Sequence, residues 1–134
     1  MKINPSNFFV DVILPLALPN TFTYSISKEE EEILEPGFRV AVQFGKQKIY
    51  TAIVKKIHST QPQNYEPKNI SMIMDQHRLV TKTQLKFWEW ISDYYMCAEG
   101  EVLRSSLPSA LLIESKSNVI KLDATAKQIE NLND

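Results

Sequence analysis

The first part of the chain repeats apolar positions with the two-residue period of β-strands. Residues 8–14 are apolar on both faces, which favours a buried strand, and Pro15 ends it. Residues 21–26 place Phe22, Tyr24 and Ile26 on one face and hydroxyl side chains on the other, which predicts a strand with one core-facing side.

A hairpin and a returning strand are predicted next. Residues 36–57 read as two alternating runs joined by Phe44-Gly45-Lys46, and the polar, proline-containing residues 58–67 read as a loop. The short run 68–74 then brings the chain back as a fifth strand. Five strands with short connections predict a small antiparallel β-barrel, because closing a sheet removes its edges.

Helical spacing appears in two places. Ser27 and Glu30 have the spacing of a capping box and predict a short helix over residues 27–34. Thr81 and Gln84 repeat that spacing before a longer helix that ends near Met96. We expect the apolar stripe of this second helix to pack against the barrel, with Trp90 exposed; its members are Leu85, Phe87, Trp88, Ile91, Tyr94 and Tyr95.

The rest of the chain is less regular. Residues 100–107 predict one or two helical turns stopped by Pro108, residues 111–122 a strand, and residues 123–134 the start of a helix. The fold class is therefore mainly β, a β-rich α+β protein in which a small antiparallel barrel carries an aromatic-rich helix.

Composition fits one ordinary core. Of 134 residues, 43% are hydrophobic, and 15 basic residues balance 16 acidic ones to give a net charge of −1. The charges are nevertheless unevenly distributed along the chain. Residues 36–57 carry five cationic side chains and no acidic one, directly after an acidic run at 29–35. This favours contact with few phosphates over a long duplex footprint.

Sequence signals for catalysis, metal binding and membrane insertion are lacking. The sequence has no phosphate-binding glycine loop, no zincin helix and no nucleophile elbow. A single cysteine, Cys97, with only His58 and His77 beside it, makes a zinc site improbable. No apolar run reaches the roughly 20 residues of a membrane helix. We expect a cytoplasmic, non-enzymatic protein with no metal of its own.

Several motifs, in order, are similar to the amino-terminal region of the PriA family (primosomal protein N-prime), the bacterial replication-restart helicases. They span roughly residues 8–110 and comprise Leu14-Pro15-Leu16-Ala17-Leu18-Pro19, Thr21-Phe22-Thr23-Tyr24, Pro36-Gly37-x-Arg39-Val40-x-Val42-x-Phe44-Gly45-Lys46, Tyr94-Tyr95, and Gly100-Glu101-Val102-Leu103-Arg104 through Leu107-Pro108.

The resemblance implies a division of the chain and a set of partners. Residues 1–108 would be a domain that binds the 3′ end of DNA at a stalled fork, and residues 109–134 a linker and the beginning of a winged-helix domain. The partners would be DNA and, through the full-length protein, other primosome proteins and single-strand-binding protein, with no membrane. ATP and zinc would belong only to the helicase region, so this chain would need no cofactor.

The resemblance also implies a site for the DNA 3′ end. The family's pocket falls on Phe22, Thr23, Tyr24, Gly45 and Lys68, and Lys46 could add charge. Aromatic rings would stack on the base, Gly45 would let the sugar approach the backbone, and lysine would meet the last phosphate.

One residue departs from the family pattern. Thr23 stands where the pattern resembles Phe-Asp-Tyr, so a neutral hydroxyl replaces a carboxylate that hydrogen-bonds the base edge. Either another group supplies that contact, or stacking and the 3′-hydroxyl dominate.

Two other functions remain open from the residues alone. The first is a protein-interaction barrel that uses the strand at 8–14 or the aromatic helix to meet a partner chain. The second is an RNA-binding oligonucleotide barrel.

Overall fold

The computed structural model describes residues 8–46, 48–63, 65–112 and 114–116. Within them, strands dominate the first half and helices the second. The elements are β1 (Phe8–Ile13), β2 (Phe22–Ile26), α1 (Lys28–Ile33), β3 (Arg39–Gln43), β4 (Lys48–His58), β5 (Met72–Ile73), α2 (Lys82–Tyr95), α3 (Glu99–Ser106), a 3-10 turn (Ser109–Leu111) and β6 (Glu114–Lys116).

The strands form one antiparallel sheet in the order β2-β1-β4-β3-β5, with β6 added beside the start of β4. Among the described residues the sheet is not closed by a continuous ladder. Residues 68–73 instead connect its two edges: Ser25 of β2 exchanges backbone hydrogen bonds with Lys68 and Ile70, and β5 then pairs with β3. The mainly β, barrel-like architecture agrees with the prediction from the sequence.

The returning strand is shorter than predicted. Of residues 68–74, only Met72–Ile73 are in a ladder strand, and Asn69 makes an isolated bridge to Ser25. The segment must change partner from β2 to β3 within a few residues, so neither ladder can be long.

Two clusters of apolar side chains lie on opposite faces of the sheet because side chains alternate along a strand. The inner face of β1 contributes Val10 and Val12 to the barrel core, together with Tyr24, Phe38 and Val40. The outer face contributes Ile13 and, from β4, Ile53 to a second cluster, which α2 and α3 cover with Leu85, Trp88, Val102 and Leu103.

Gly37 and an ion pair fix the connections around β3. Gly37 has φ +101°, and a Cβ there would lie 1.9 Å from the carbonyl oxygen of Val80, so the chain crosses itself closely before α2. Arg39 binds Asp75 with its Nη2 2.7 Å from Oδ1, and its Nη1 donates to the Leu111 carbonyl oxygen. Burial alone would raise the pKa of Asp75, but hydrogen bonds from the Arg39 side chain and backbone hold that pKa below its usual value.

Both predicted capping boxes are present. Ser27 and Glu30 cap α1, and Thr81 and Gln84 cap α2, each pair exchanging hydrogen bonds with the backbone of the other. Met96 ends α2 in the left-handed conformation with φ +54°.

The aromatic face of α2 corrects a prediction. Leu85 and Trp88 are buried, but Phe87, Tyr94 and Tyr95 are exposed together with Trp90, the one residue for which exposure was expected. The predicted core-facing stripe is too wide. Positions 85 and 88 face the sheet, whereas positions 87, 90 and 94 lie on a different side of the helix.

The predictions for the end of the chain are tested only in part. Of the strand expected over 111–122, Glu114–Lys116 form β6, whereas Leu111 belongs to the 3-10 turn and not to a strand. The later residues of the expected strand, the helix start expected over 123–134 and most of the expected winged-helix portion lie outside the described residues. The domain boundary at residue 108 stays a prediction.

Candidate nucleic-acid interface

An open concavity of about 310 Å³ lies where the end of the barrel meets the β3–β4 turn. Its walls come from the start of β2, from the turn after β3 and from the loop before β5. The lining residues are Phe22, Thr23, Tyr24, Gln43, Phe44, Gly45, Tyr65, Glu66 and Lys68. Five of the six residues that the family resemblance predicts for the site therefore line one cavity.

The aromatic residues of the cavity have different degrees of exposure. Phe22 is half-buried and meets Phe44 edge to face, with ring centroids 4.8 Å apart. Phe44 in turn contacts Tyr50 with centroids 6.4 Å apart, and this chain of ring contacts orders the rim. Phe22, Phe44 and the exposed ring of Tyr65 are the rings that a ligand can reach.

Tyr24 forms the floor of the cavity rather than an exposed wall. Only 5% of its surface is accessible, and its hydroxyl donates to the Gln43 carbonyl oxygen at 2.8 Å, tying β2 to the end of β3. Burial, with a smaller contribution from Tyr65, raises the pKa of Tyr24 to about 12. Its phenol therefore stays a neutral donor at physiological pH.

Gly45 opens the β3–β4 side of the cavity. It is exposed with φ +76°, and a Cβ built there would meet no atom within 4 Å. The conformation favours glycine, and the empty space beside it lets a ligand approach the backbone. Lys46, the neighbouring residue, is exposed but is not among the residues that line the cavity, so the structure does not place it with the other five.

The loop before β5 is held against the edge of β2. The backbone N–H of Thr23 donates to the Tyr65 hydroxyl at 2.9 Å, and the N–H of Ser25 donates to the Lys68 carbonyl oxygen at 2.8 Å. Lys68 and Glu66 are exposed and line the cavity together. The site thus combines one cation and one anion beside its aromatic rings.

The side chain of Thr23 is hydrogen-bonded within the protein. Its hydroxyl donates to Asp11 Oδ1 at 2.7 Å, and the same oxygen lies 2.9 Å from His58 Nε2. Asp11 and Thr23 are direct cross-strand neighbours, so the threonine hydroxyl completes a small polar cluster on β1, β2 and β4. Its hydrogen is therefore not available for a ligand in this arrangement.

Sequence reasoning missed four lining residues: Gln43, Phe44, Tyr65 and Glu66. Phe44 had a usable signal, since it adjoins Gly45 in the predicted turn. Tyr65 and Glu66 lie in a loop with no periodicity, and the hydrogen bonds of that loop with β2, from the Tyr65 hydroxyl and the Lys68 carbonyl oxygen, bring them to the cavity.

The described residues contain neither a membrane-spanning helix nor a cluster of metal-binding side chains. No helix in this part of the chain is long and apolar enough to cross a membrane. No group of three or more histidine, cysteine, aspartate or glutamate side chains there is arranged to hold a metal ion.

An open cavity with aromatic rings and a lysine at its rim is a feature found in modules that bind single-stranded nucleic acids. The chain belongs to the PriA 3′DNA-binding domain (3′BD) family, whose model matches residues 11–108. It is thus a DNA-binding domain. No curated protein matches the chain significantly.

Proposed function

We propose that the cavity binds the terminal nucleotide at the 3′ end of a single DNA strand. The observation that carries this proposal is the convergence of Phe22, Thr23, Tyr24, Gly45 and Lys68 on one open cavity of about 310 Å³. That volume lies at the lower end of the roughly 300–1,000 Å³ typical of small-molecule sites, which suits one nucleotide rather than several.

Each part of the cavity has a chemical role in this proposal. The accessible rings of Phe22 and Phe44 stack on the terminal base, a contact of about 1–3 kcal/mol that tolerates all four bases. The backbone beside Gly45 receives the sugar, because no side chain fills that space. Lys68 pairs with the last phosphodiester.

Discrimination of the end follows from the acidic residue at the rim. A free 3′-hydroxyl can donate a hydrogen bond to the Glu66 carboxylate, whereas a 3′-phosphate would bring a second anion close to it. Because the Thr23 hydroxyl is hydrogen-bonded to Asp11, stacking and the 3′-hydroxyl dominate over recognition of the base edge.

We also propose that this binding of DNA ends acts in replication restart. Membership of the family supports this proposal, since a PriA-type 3′-end domain orients a helicase on an abandoned fork. Primosome proteins and single-strand-binding protein are partners of the full-length helicase in the same proposal.

The experiment compares labelled oligonucleotides that differ only at one terminus, by fluorescence anisotropy. Tight binding of the 3′-hydroxyl strand, weaker binding of the 3′-phosphate strand and indifference to a 5′-phosphate support end recognition. Equal affinity for the first two strands refutes it.

Lys68→Ala tests the phosphate contact. Removal of the Lys68 charge should make the slope of log K against log salt concentration shallower by about one unit. Lys28→Ala is the matched control, because Lys28 is an exposed lysine on α1 and does not line the cavity. An unchanged slope in Lys68→Ala would remove this lysine from the site.

A further inference from the structure

The exposed side of α2 carries a row of aromatic rings that the DNA site does not use. Phe87, Trp90 and Tyr94 expose 56%, 56% and 66% of their surfaces. Their rings stack along the helix, with centroids 6.2 Å apart for the first pair and 5.1 Å for the second. A contiguous exposed apolar patch of this kind marks an interaction surface.

The charges beside this aromatic row run in a definite order. Lys86 and Asp93 are both exposed and seven residues apart, so two helical turns place them on the same flank of the row. The lysine lies toward the start of the helix and the aspartate toward its end. Glu89, between them, is already bound to Lys55 of β4 at 3.1 Å.

This order is complementary to itself when two helices lie antiparallel. With a two-fold axis at Trp90, Phe87 faces Tyr94 of the second copy and the two Trp90 rings meet at the centre. The same axis brings Lys86 opposite Asp93 of the second copy. In both facing pairs, the two residues lie three and four positions on either side of Trp90. An isologous interface requires this kind of self-complementarity.

We propose that the aromatic row of α2 is a self-association surface through which two copies of this chain pair in an antiparallel, two-fold arrangement. The row lies on the helix that covers the outer face of the sheet, whereas the cavity opens at the end of the barrel core. Both copies therefore keep their DNA sites accessible, and the proposal is independent of the proposed function.

The expected dimer is weak. A buried aromatic side chain removes about 150–250 Å² from solvent, and these rings are already about half-covered, so six of them bury on the order of 600 Å². Stable interfaces bury about 1,200–2,000 Å². Dissociation should therefore fall between micromolar and millimolar concentrations.

Sedimentation equilibrium of the full 134-residue chain from about 10 µM to about 1 mM tests the proposal. Trp90→Ser should abolish association, and Lys86→Asp or Asp93→Lys alone should weaken it roughly tenfold by facing like charges. The double variant Lys86→Asp/Asp93→Lys should restore it, since the exchanged charges again face their opposites. Lys28→Asp, on α1, is the control for a charge reversal elsewhere.

Two results would overturn the proposal. One is a wild-type chain that stays monomeric throughout the range, which would exclude a second copy as the occupant of the aromatic row. The other is a double variant that associates no better than the single ones, which would exclude the antiparallel register. All three positions are exposed, so melting curves should match the wild type and separate these outcomes from unfolding.

Discussion

Removal of the Tyr24 hydroxyl tests how the floor of the cavity is held. Tyr24→Phe keeps the ring in the core and deletes the 2.8 Å hydrogen bond to the Gln43 carbonyl oxygen. A lost hydrogen bond that leaves a partly buried acceptor without its donor costs about 1–2 kcal/mol. For a domain of this size that corresponds to a fall in Tm of roughly 3–8 °C.

The same substitution has a pH signature. Burial raises the pKa of Tyr24 from its usual 10 to about 12, so the folded state holds the phenolic proton more tightly than the unfolded state does. This stabilisation is fully present below pH 10 and is lost as the pH rises through the folded pKa. The phenylalanine variant lacks this contribution of the phenol. The difference in free energy of unfolding between the wild type and the variant should therefore shrink at alkaline pH, by about 1–2 kcal/mol.

Urea unfolding of both proteins at neutral pH and at about pH 11.5 measures this difference directly. Subtracting the two curves cancels the titration of the other tyrosines and lysines. A deficit below about 0.5 kcal/mol at neutral pH, or a deficit that does not change with pH, would refute the assignment of Tyr24 as a buried donor.

Three further predictions concern single positions. Gly37→Ala places a methyl group 1.9 Å from a backbone oxygen and should lower the free energy of unfolding, measured thermally, by more than about 3 kcal/mol. Gly45→Ala meets no atom within 4 Å and should lower it by only about 1–2 kcal/mol. Similar losses in the two variants would contradict the close crossing at residue 37. Asp75→Asn should destabilise the protein near neutral pH and remove the part of wild-type stability that is lost below about pH 4, as seen in acid titrations of unfolding; an unchanged acid profile would show that the carboxylate pair contributes nothing. Thr23→Val should leave DNA affinity within about twofold, because the hydroxyl already donates to a protein carboxylate; a large loss would mean that it contacts the ligand.

The sequence predicted the sheet well because its strands have clear two-residue periods. The hairpin of β3 and β4, the capping boxes at Ser27 and Thr81, and the end of α2 near Met96 all depend on local signals. The short β5 could not be read in the same way, because its length depends on two partner strands that are far away in the chain.

The cavity was predictable only by similarity. Phe22 and Tyr24 share a strand face, yet the pattern does not say that one is half-exposed at a rim and the other buried on a floor. Tyr65 and Glu66 enter the cavity through tertiary contacts of a loop. The exposure of Trp90 was predicted, but that of Phe87, Tyr94 and Tyr95 was not, because the sequence of a helix that is apolar on most sides does not show which side packs on the sheet.

The most direct test of the proposed DNA site is a nitrogen-15 NMR titration of the chain with a dinucleotide that ends in a free 3′-hydroxyl. We predict that backbone amide shifts concentrate at residues 22–24 and 43–45 and at Tyr65, Glu66 and Lys68, which together line the cavity. Shifts that spread evenly over the surface, or that concentrate on α2, would contradict it.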